Sequence, residues 1–308
     1  MSKFLLTLRN ATIVLVASSC AAVSAAEERQ ERGPWVWDVA LGSMHQFSTD
    51  FSDGPGDLSV TRSFVRGGLG YAWDRNTSVS LSLGVTSSDY DFSSDALIEQ
   101  FKPWGRVDEY LLSVPMRFSP TEKMRAIIIP TIRTVAESGA SVSDGRSEGM
   151  LAGFSWKFSD TFSIGPGFGW FSDVGDETTA FPIILVDWQI TEALSLTTGR
   201  NMAAAQGPAL LLNYKRNQEW TVGVSAGFEQ MRFSLEEQAG RTAQVGQDSN
   251  GSLLVVANYT PWPRTTISAV AGVEFGGSLA LEDDNGQSLA TTDIDTAMVI
   301  GFAIESRF

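Results

Sequence analysis

Apolar and polar residues alternate with a period of two along most of the chain from residue 35 onward. The clearest stretch is the last one. Met298, Ile300, Phe302, Ile304, Ser306 and Phe308 share one parity, and Val299, Gly301, Ala303, Glu305 and Arg307 share the other. Successive side chains of a strand point to opposite faces, so this period predicts a strand with two chemically different faces. The same pattern recurs upstream. A first strand covers Trp35–Gln46 and a second Thr61–Trp73, with Val65, Leu69, Tyr71 and Trp73 against Arg62, Arg66, Gly68 and Ala72. A third sets Val79, Leu81, Leu83 and Val85 against serines and Gly84. The apolar parities of later strands begin at Tyr110, Met150, Phe162, Pro182, Leu210, Trp220, Leu253 and Ile267. Two strands are less regular. Met124–Val135 is apolar on both parities, and Leu194–Thr198 is short. The count is about fourteen, and these two segments leave twelve or sixteen open.

The linkers alternate as well. Short turns such as Asp74–Asn76, Ser119–Lys123, Ser159–Thr161 and Pro261–Arg264 exchange with long polar stretches. The long ones are Ser48–Ser59, Ser87–Gly105, Glu137–Ser147, Arg232–Asn250 and Ser278–Thr292. The apolar strand Met298–Phe308 ends on an aromatic, and in this it resembles the closing strand of bacterial outer-membrane β-barrels. That resemblance implies a terminal signal read by the barrel-assembly machinery. Short turns on one rim and long loops on the other fit the same class, with both termini at the periplasmic rim. The expected fold is all-β: a closed antiparallel transmembrane β-barrel of about fourteen strands.

A soluble barrel turns its apolar face inward, and a membrane barrel inverts this. Glycine and serine crowd the other parity here, and the charges sit there too. Aromatics gather on the apolar parity beside the short turns: Trp35, Trp37, Tyr71, Trp73, Phe118, Trp156, Phe158, Phe162, Trp188, Tyr214, Trp220, Tyr259 and Phe308. Rings with a polar tip favour headgroup depth, so these predict a girdle at the periplasmic interface. Tyr110, Phe168, Trp170, Phe228 and Phe275 predict a sparser one opposite. The competing fold is a soluble sandwich or lipocalin-like barrel, whose core aromatics need not collect at one end.

Composition and the N-terminus sharpen the picture. Lys3 and Arg9 precede an apolar run, Ala11–Val23, which is too short to span a bilayer as a helix. Ser24-Ala25-Ala26 supplies small residues for cleavage. Residues 1–26 are therefore expected to be a cleaved signal peptide and 27–308 the barrel. Cys20 is the only cysteine, so the exported part holds no disulfide, and Ala17-Ser18-Ser19 before it is a poor lipidation signal. Formal net charge is −14, which argues against a nucleic-acid partner. The expected home is the outer membrane of a Gram-negative cell, with its lipid and lipopolysaccharide as partners.

Placing the apolar parity in lipid turns the charges inward. Arg62, Arg66, Arg117, Arg125, Arg133 and Lys157 lie on the second to sixth strands, with Glu109 the exception. Asp38, Asp187, Glu229, Glu274 and Glu305 lie on other strands, while Lys215 and Arg307 break the pattern. A mainly basic wall facing a mainly acidic one resembles the constriction of general porins. The expected function is thus a porin-like channel for small polar solutes. The same charges could instead pair across the lumen as a structural plug, because charges in a narrow barrel tend to pair. A non-transporting structural or surface-binding barrel is the alternative, and a membrane lipid hydrolase a third.

No enzymatic activity, cofactor or metal is expected. Gly223-Val224-Ser225-Ala226-Gly227 matches the nucleophile-elbow pattern, but that motif needs a strand–turn–helix context and here lies within an alternating strand. His45, the only histidine, falls at the outer end of the first strand near Ser43 and Ser48, with nothing to fix a catalytic geometry. Glu282-Asp283-Asp284-Asn285-Gly286 lacks the ligand spacing of a calcium loop.

Overall fold

The computed structural model describes residues 34–74, 76–93, 98, 103–172, 174–175, 178–200, 208–283 and 286–308. The expected signal peptide lies outside them. Sixteen strand segments follow one another: β1 (Trp35–Asp50), β2 (Asp57–Ala72), β3 (Ser78–Phe92), β4 (Arg106–Ser113), β5 (Met116–Thr121), β6 (Met124–Glu137), β7 (Arg146–Ser159) and β8 (Phe162–Ser172). They continue as β9 (Thr178–Gln189), β10 (Leu194–Arg200), β11 (Pro208–Lys215), β12 (Trp220–Ser234), β13 (Val245–Trp262), β14 (Thr265–Glu282), β15 (Ser288–Ile294) and β16 (Ala297–Arg307).

These segments make fourteen staves. β4 and β5 are one stave interrupted at Val114–Pro115, since both pair β3 in a single register, Ser82 with Ser113 and Val79 with Met116. β15 and β16 are likewise one, pairing β14 through Gly277–Ile294 and Glu274–Ala297. Each stave pairs its sequence neighbours antiparallel, and β1 closes on β16 from Asp38–Arg307 to Gln46–Val299. The ring has no open edge, the condition for crossing hydrocarbon with strands.

The outer face is apolar across a belt. Val65, Leu83, Val85, Val222, Val224, Leu253, Val255, Ile300 and Phe302 are all exposed. The periplasmic girdle forms as the aromatic clustering predicts, and rings on adjacent staves touch. Trp35 meets Tyr71 at 5.0 Å, Phe162 meets Trp188 at 5.6 Å and Trp220 stacks on Tyr259 at 4.7 Å. Tyr110, Phe168, Trp170, Phe228 and Phe275 are exposed on the same outer face.

The long polar linkers are shorter than the sequence suggests. β1 runs on to Asp50, β3 to Phe92, β12 to Ser234 and β14 to Glu282, and β2 and β13 begin early. In these extensions the polarity of the strand inverts. β2 turns Val65 and Leu69 outward lower down, yet Leu58 and Val60 are buried inside at its upper end. β3 does the same with Leu83 and Val85 against Tyr90. In β14 the change needs an extra residue. The register with β13 shifts between Ser249 and Gly251, and Gly276 opposite has φ +59°, a backbone conformation that favours glycine. Below the bulge Val273 and Phe275 face lipid; above it Leu279 and Leu281 are fully buried.

The inverted ends close on themselves. The tip of β12 meets the tip of β6 from across the ring, with Ser234 beside Ala136 in a parallel bridge. This pinch turns the upper parts of β1–β4, β6 and β12–β15 into a smaller barrel with an apolar core. Phe233, Leu279, Leu281, Leu58, Val60, Val107 and Val135 fill it, and Trp104 from the β3–β4 connection packs on Phe233 at 4.7 Å and on Tyr90 at 5.5 Å. Phe233→Ala opens a cavity in this core and should cost about 3–5 kcal/mol. Denaturant unfolding in detergent measures it. Phe302→Ala, at an exposed position of the outer belt, should cost far less, and equal losses would contradict the cap.

Candidate functional site: the charged lumen

Inside the ring, small side chains and charges face the axis. Near the periplasmic rim these charges are solvated. Arg125 of β6 reaches Asp187 of β9 at 3.5 Å over the glycine- and serine-lined wall of β7 and β8, with side chains 62% and 32% exposed. Lys157 pairs with Asp160 in the β7–β8 turn at 2.6 Å, and Arg307 with Glu305 at 2.7 Å. Arg117 is exposed and Asp38 half-buried on the same inner face. The turns at this rim fix carboxylates electrostatically. Asp74 accepts the N–H of Asn76 at 2.6 Å and of Thr77 at 2.8 Å, which holds it below the usual carboxylate range. Lys157 does the same for Asp160.

One level up, Arg66 lies 5.5 Å from the Phe64 ring centroid, with Glu109, Glu305 and Asp38 as its charged neighbours. Arg133 is half-buried on β6 in the row below Glu109.

Above Arg66 the lumen is sealed on this side. Arg62 donates to Asp248 at 3.2 Å and to both oxygens of Glu274 at 3.3 Å, and the Tyr90 hydroxyl donates to Asp248 at 2.7 Å. The side chains of Arg62, Asp248 and Glu274 are 6%, 7% and 5% exposed. A cavity between Arg62, Glu229, Asp248 and Asn250 has room for about one water molecule. The aromatic core of the cap sits directly on this network. Two clasps hold the cap. Arg241 is bound to Glu137 and to the carbonyl of Pro103, which ties the β12–β13 connection to β6. Arg232 pairs with Glu282 at 2.7 Å and donates to the carbonyl of Val174, which is buried in the β8–β9 connection.

Behind β6–β11, large side chains also crowd the inner face. Phe171 and Phe181 stack at 6.0 Å and lie over Gly149 and Gly169, where any Cβ would collide with the rings. Ile127, Ile129, Ile183 and Ala209 are buried beside them. The expected facing walls of opposite charge are therefore not how the charges are arranged. The pairs these residues make, buried from Arg62 to Glu274 and Asp248 and exposed from Arg125 to Asp187, join nearby staves rather than opposite walls.

Three sequence candidates lie away from this lumen chemistry or within regular strand. Ser225 is fully buried in β12, in extended backbone. His45 is on the outer face, where its Nδ1 hydrogen-bonds Thr61 Oγ1 at 2.9 Å, while Ser43 bonds Ser63. In the acidic stretch after β14, Asp283 accepts the N–H of Gln287, and Asp284 and Asn285 lie outside the described residues. No group of three or more potential metal ligands occurs among the described residues. Tyr90, Asp248, Arg232, Glu137 and Arg241 were not legible as site residues, because they fall in stretches that read as loop. The one available signal was the alternation Leu279, Leu281 inside such a stretch.

A closed ring of fourteen staves, with an apolar outer belt and an aromatic girdle, is a transmembrane β-barrel of the outer membrane. No family model matches the chain, and no curated protein does. Among solved structures it is similar to an outer membrane channel from Pseudomonas putida F1, at 11% identity over 90% of this chain and 96% of that one, TM-score 0.46. It is also similar to a FadL homologue from Pseudomonas aeruginosa, at 12% over 97% and 99%, TM-score 0.43. The translocator domain of the autotransporter NalP from Neisseria meningitidis aligns at 12% over 93% of each chain, TM-score 0.38.

Removing one partner of the sealed network leaves buried charge uncompensated. Arg62→Leu should destabilise the barrel by about 3–5 kcal/mol. The triple variant Arg62→Leu, Asp248→Leu, Glu274→Leu should recover most of that loss in the same unfolding measurement.

Proposed function

We propose that the protein is an outer-membrane channel that rests closed at its outer end and passes small solutes when that end opens. One observation carries this reading: inward charges are exposed near the periplasmic rim, as at Arg125, and sealed above, as at Arg62. The lumen is thus a wet, charged vestibule with a blind end. The two halves of that end differ in kind. On the cap side the closure is the barrel wall itself. Behind β6–β11 it consists of Phe171 and Phe181, whose rings change rotamer without breaking a stave. Solutes would meet charges first and an apolar constriction last. The reading is therefore of small polar solutes without full charge, selected against ions at the constriction. It assigns no enzymatic role.

The apolar core of the cap favours a second reading, a barrel that transports nothing and presents the cap to the exterior. Planar-bilayer recording separates the two. The wild type should show rare, small openings, and Phe171→Ala with Phe181→Ala should raise the mean current roughly tenfold or more. Neutralising Arg66 and Arg117 in that open background should shift ion preference. Silence from every variant, with no liposome swelling, would leave only the second reading.

A further inference from the structure

The buried network at Arg62 does not balance its own charge. Arg62 brings one positive charge, and Asp248 and Glu274 both turn a carboxylate to it. All three are buried. The Tyr90 hydroxyl, which donates to Asp248, is neutral. The other charged groups facing this level do not remove the excess. Glu109 of β4 and Glu229 of β12 line the adjoining cavity, and both are acidic. Arg66, two inward positions below Arg62 on β2, has Glu109, Glu305 and Asp38 as its charged neighbours. β1 and β16 bring Met44, Gln46 and Val299 to this level, all buried and none charged.

The bonds within the triad are unequal. Asp248 Oδ2 accepts from Arg62 at 3.2 Å and from Tyr90 at 2.7 Å, as an ionised carboxylate does. Glu274 has the longest contacts of the set, 3.3 Å from Arg62 to each oxygen. A carboxylate left unbalanced away from bulk water is costly, and the site neutralises itself by keeping a proton. Two carboxylates that share one cation divide that proton between them as a pair.

We infer that Asp248 and Glu274 form a proton-binding site, which holds one proton at neutral pH, mainly on Glu274. With that proton the triad is neutral, and the apolar core of the cap rests on a layer without net charge. Without it, Asp248 and Glu274 repel each other across Arg62 where bulk water does not screen them. The seal is held by a proton and loosens as pH rises. This holds whether or not the barrel conducts.

The test is infrared spectroscopy of the barrel in detergent, where a protonated carboxyl shows a C=O stretch apart from that of ionised carboxylates. At neutral pH the wild type should show this band. Glu274→Gln should lose it. Asp248→Asn should lose it too, because one carboxylate then remains to balance Arg62. Glu305→Gln, at the solvated pair with Arg307, should keep it. Unfolding gives a second readout. Both carboxylates are ionised near neutrality in the unfolded chain, so unfolding releases the proton. The wild-type unfolding constant, relative to that of either buried variant, should therefore rise about tenfold per pH unit there. A band absent from the wild type, kept by either buried variant, or lost in the Glu305 variant would overturn the site. Loss of the wild-type band on adding sodium would assign the place to a metal cation instead.

Discussion

The structure depends on keeping every backbone amide and carbonyl paired where there is no water to pair them. An unmet group in hydrocarbon costs several kcal/mol, so the sheet closes on itself. The two interrupted staves show how strictly this holds. At the β4–β5 break, Pro115 has no N–H to give, yet Val114 donates to Pro130 and Ser80 donates to Pro115, and the register resumes unshifted. At the β15–β16 break, Asp295 donates to Asp50 and Ser52 to Asp293, so β1 stays laced to its neighbour. Interruptions of the segment are tolerated; interruptions of the ladder are not.

A second constraint follows from where each part of a stave sits. The ladder fixes alternation but does not say which face is apolar; the surrounding medium does. In the bilayer the outer face is apolar and the inner face small or charged. Beyond it, water lies outside, and the same strands turn their apolar residues inward around Trp104 and Phe233. Between the two regimes lies a layer where neither applies. There the inner face is polar but shielded from bulk water, and Arg62, Asp248, Glu274 and Tyr90 meet one another's needs instead. Removing any one of them leaves the rest in a medium that cannot replace it.

This explains what could be read from the sequence. Period-two alternation with aromatics at the short turns points to about fourteen staves and to the lipid-facing parity of most of them, while β6, apolar on both parities, and the short β10 leave twelve or sixteen open. It did not give the strand extensions, because the apolar parity changes along a stave. Leu58 and Val60 are even-numbered and Val65 and Leu69 odd, so β2 reads as a strand preceded by loop. In β14 the bulge at Gly276 hides the change altogether: Val273, Phe275, Leu279 and Leu281 keep one parity while the face they occupy flips. The inward charges were legible as inward, but their partners were not. Parity places Arg62 inside; only the curvature of the ring and the pinch at Ser234 decide that Glu274 and Asp248 reach it.

The same geometry limits how the lumen could open. The cap is built from the wall: Leu58, Val60 and Tyr90 belong to β2 and β3, and Leu279 and Leu281 to β14. Moving them outward as a plug would pull those staves from their neighbours and expose backbone groups near the hydrocarbon. On the other side the described closure is of a different kind. Phe171 and Phe181 are side chains on intact staves, and a rotamer change moves a ring without touching a ladder bond. An opening that leaves the cap standing and displaces only these groups respects the ladder. The cap and its buried network then serve as the fixed wall against which a narrower, apolar passage opens.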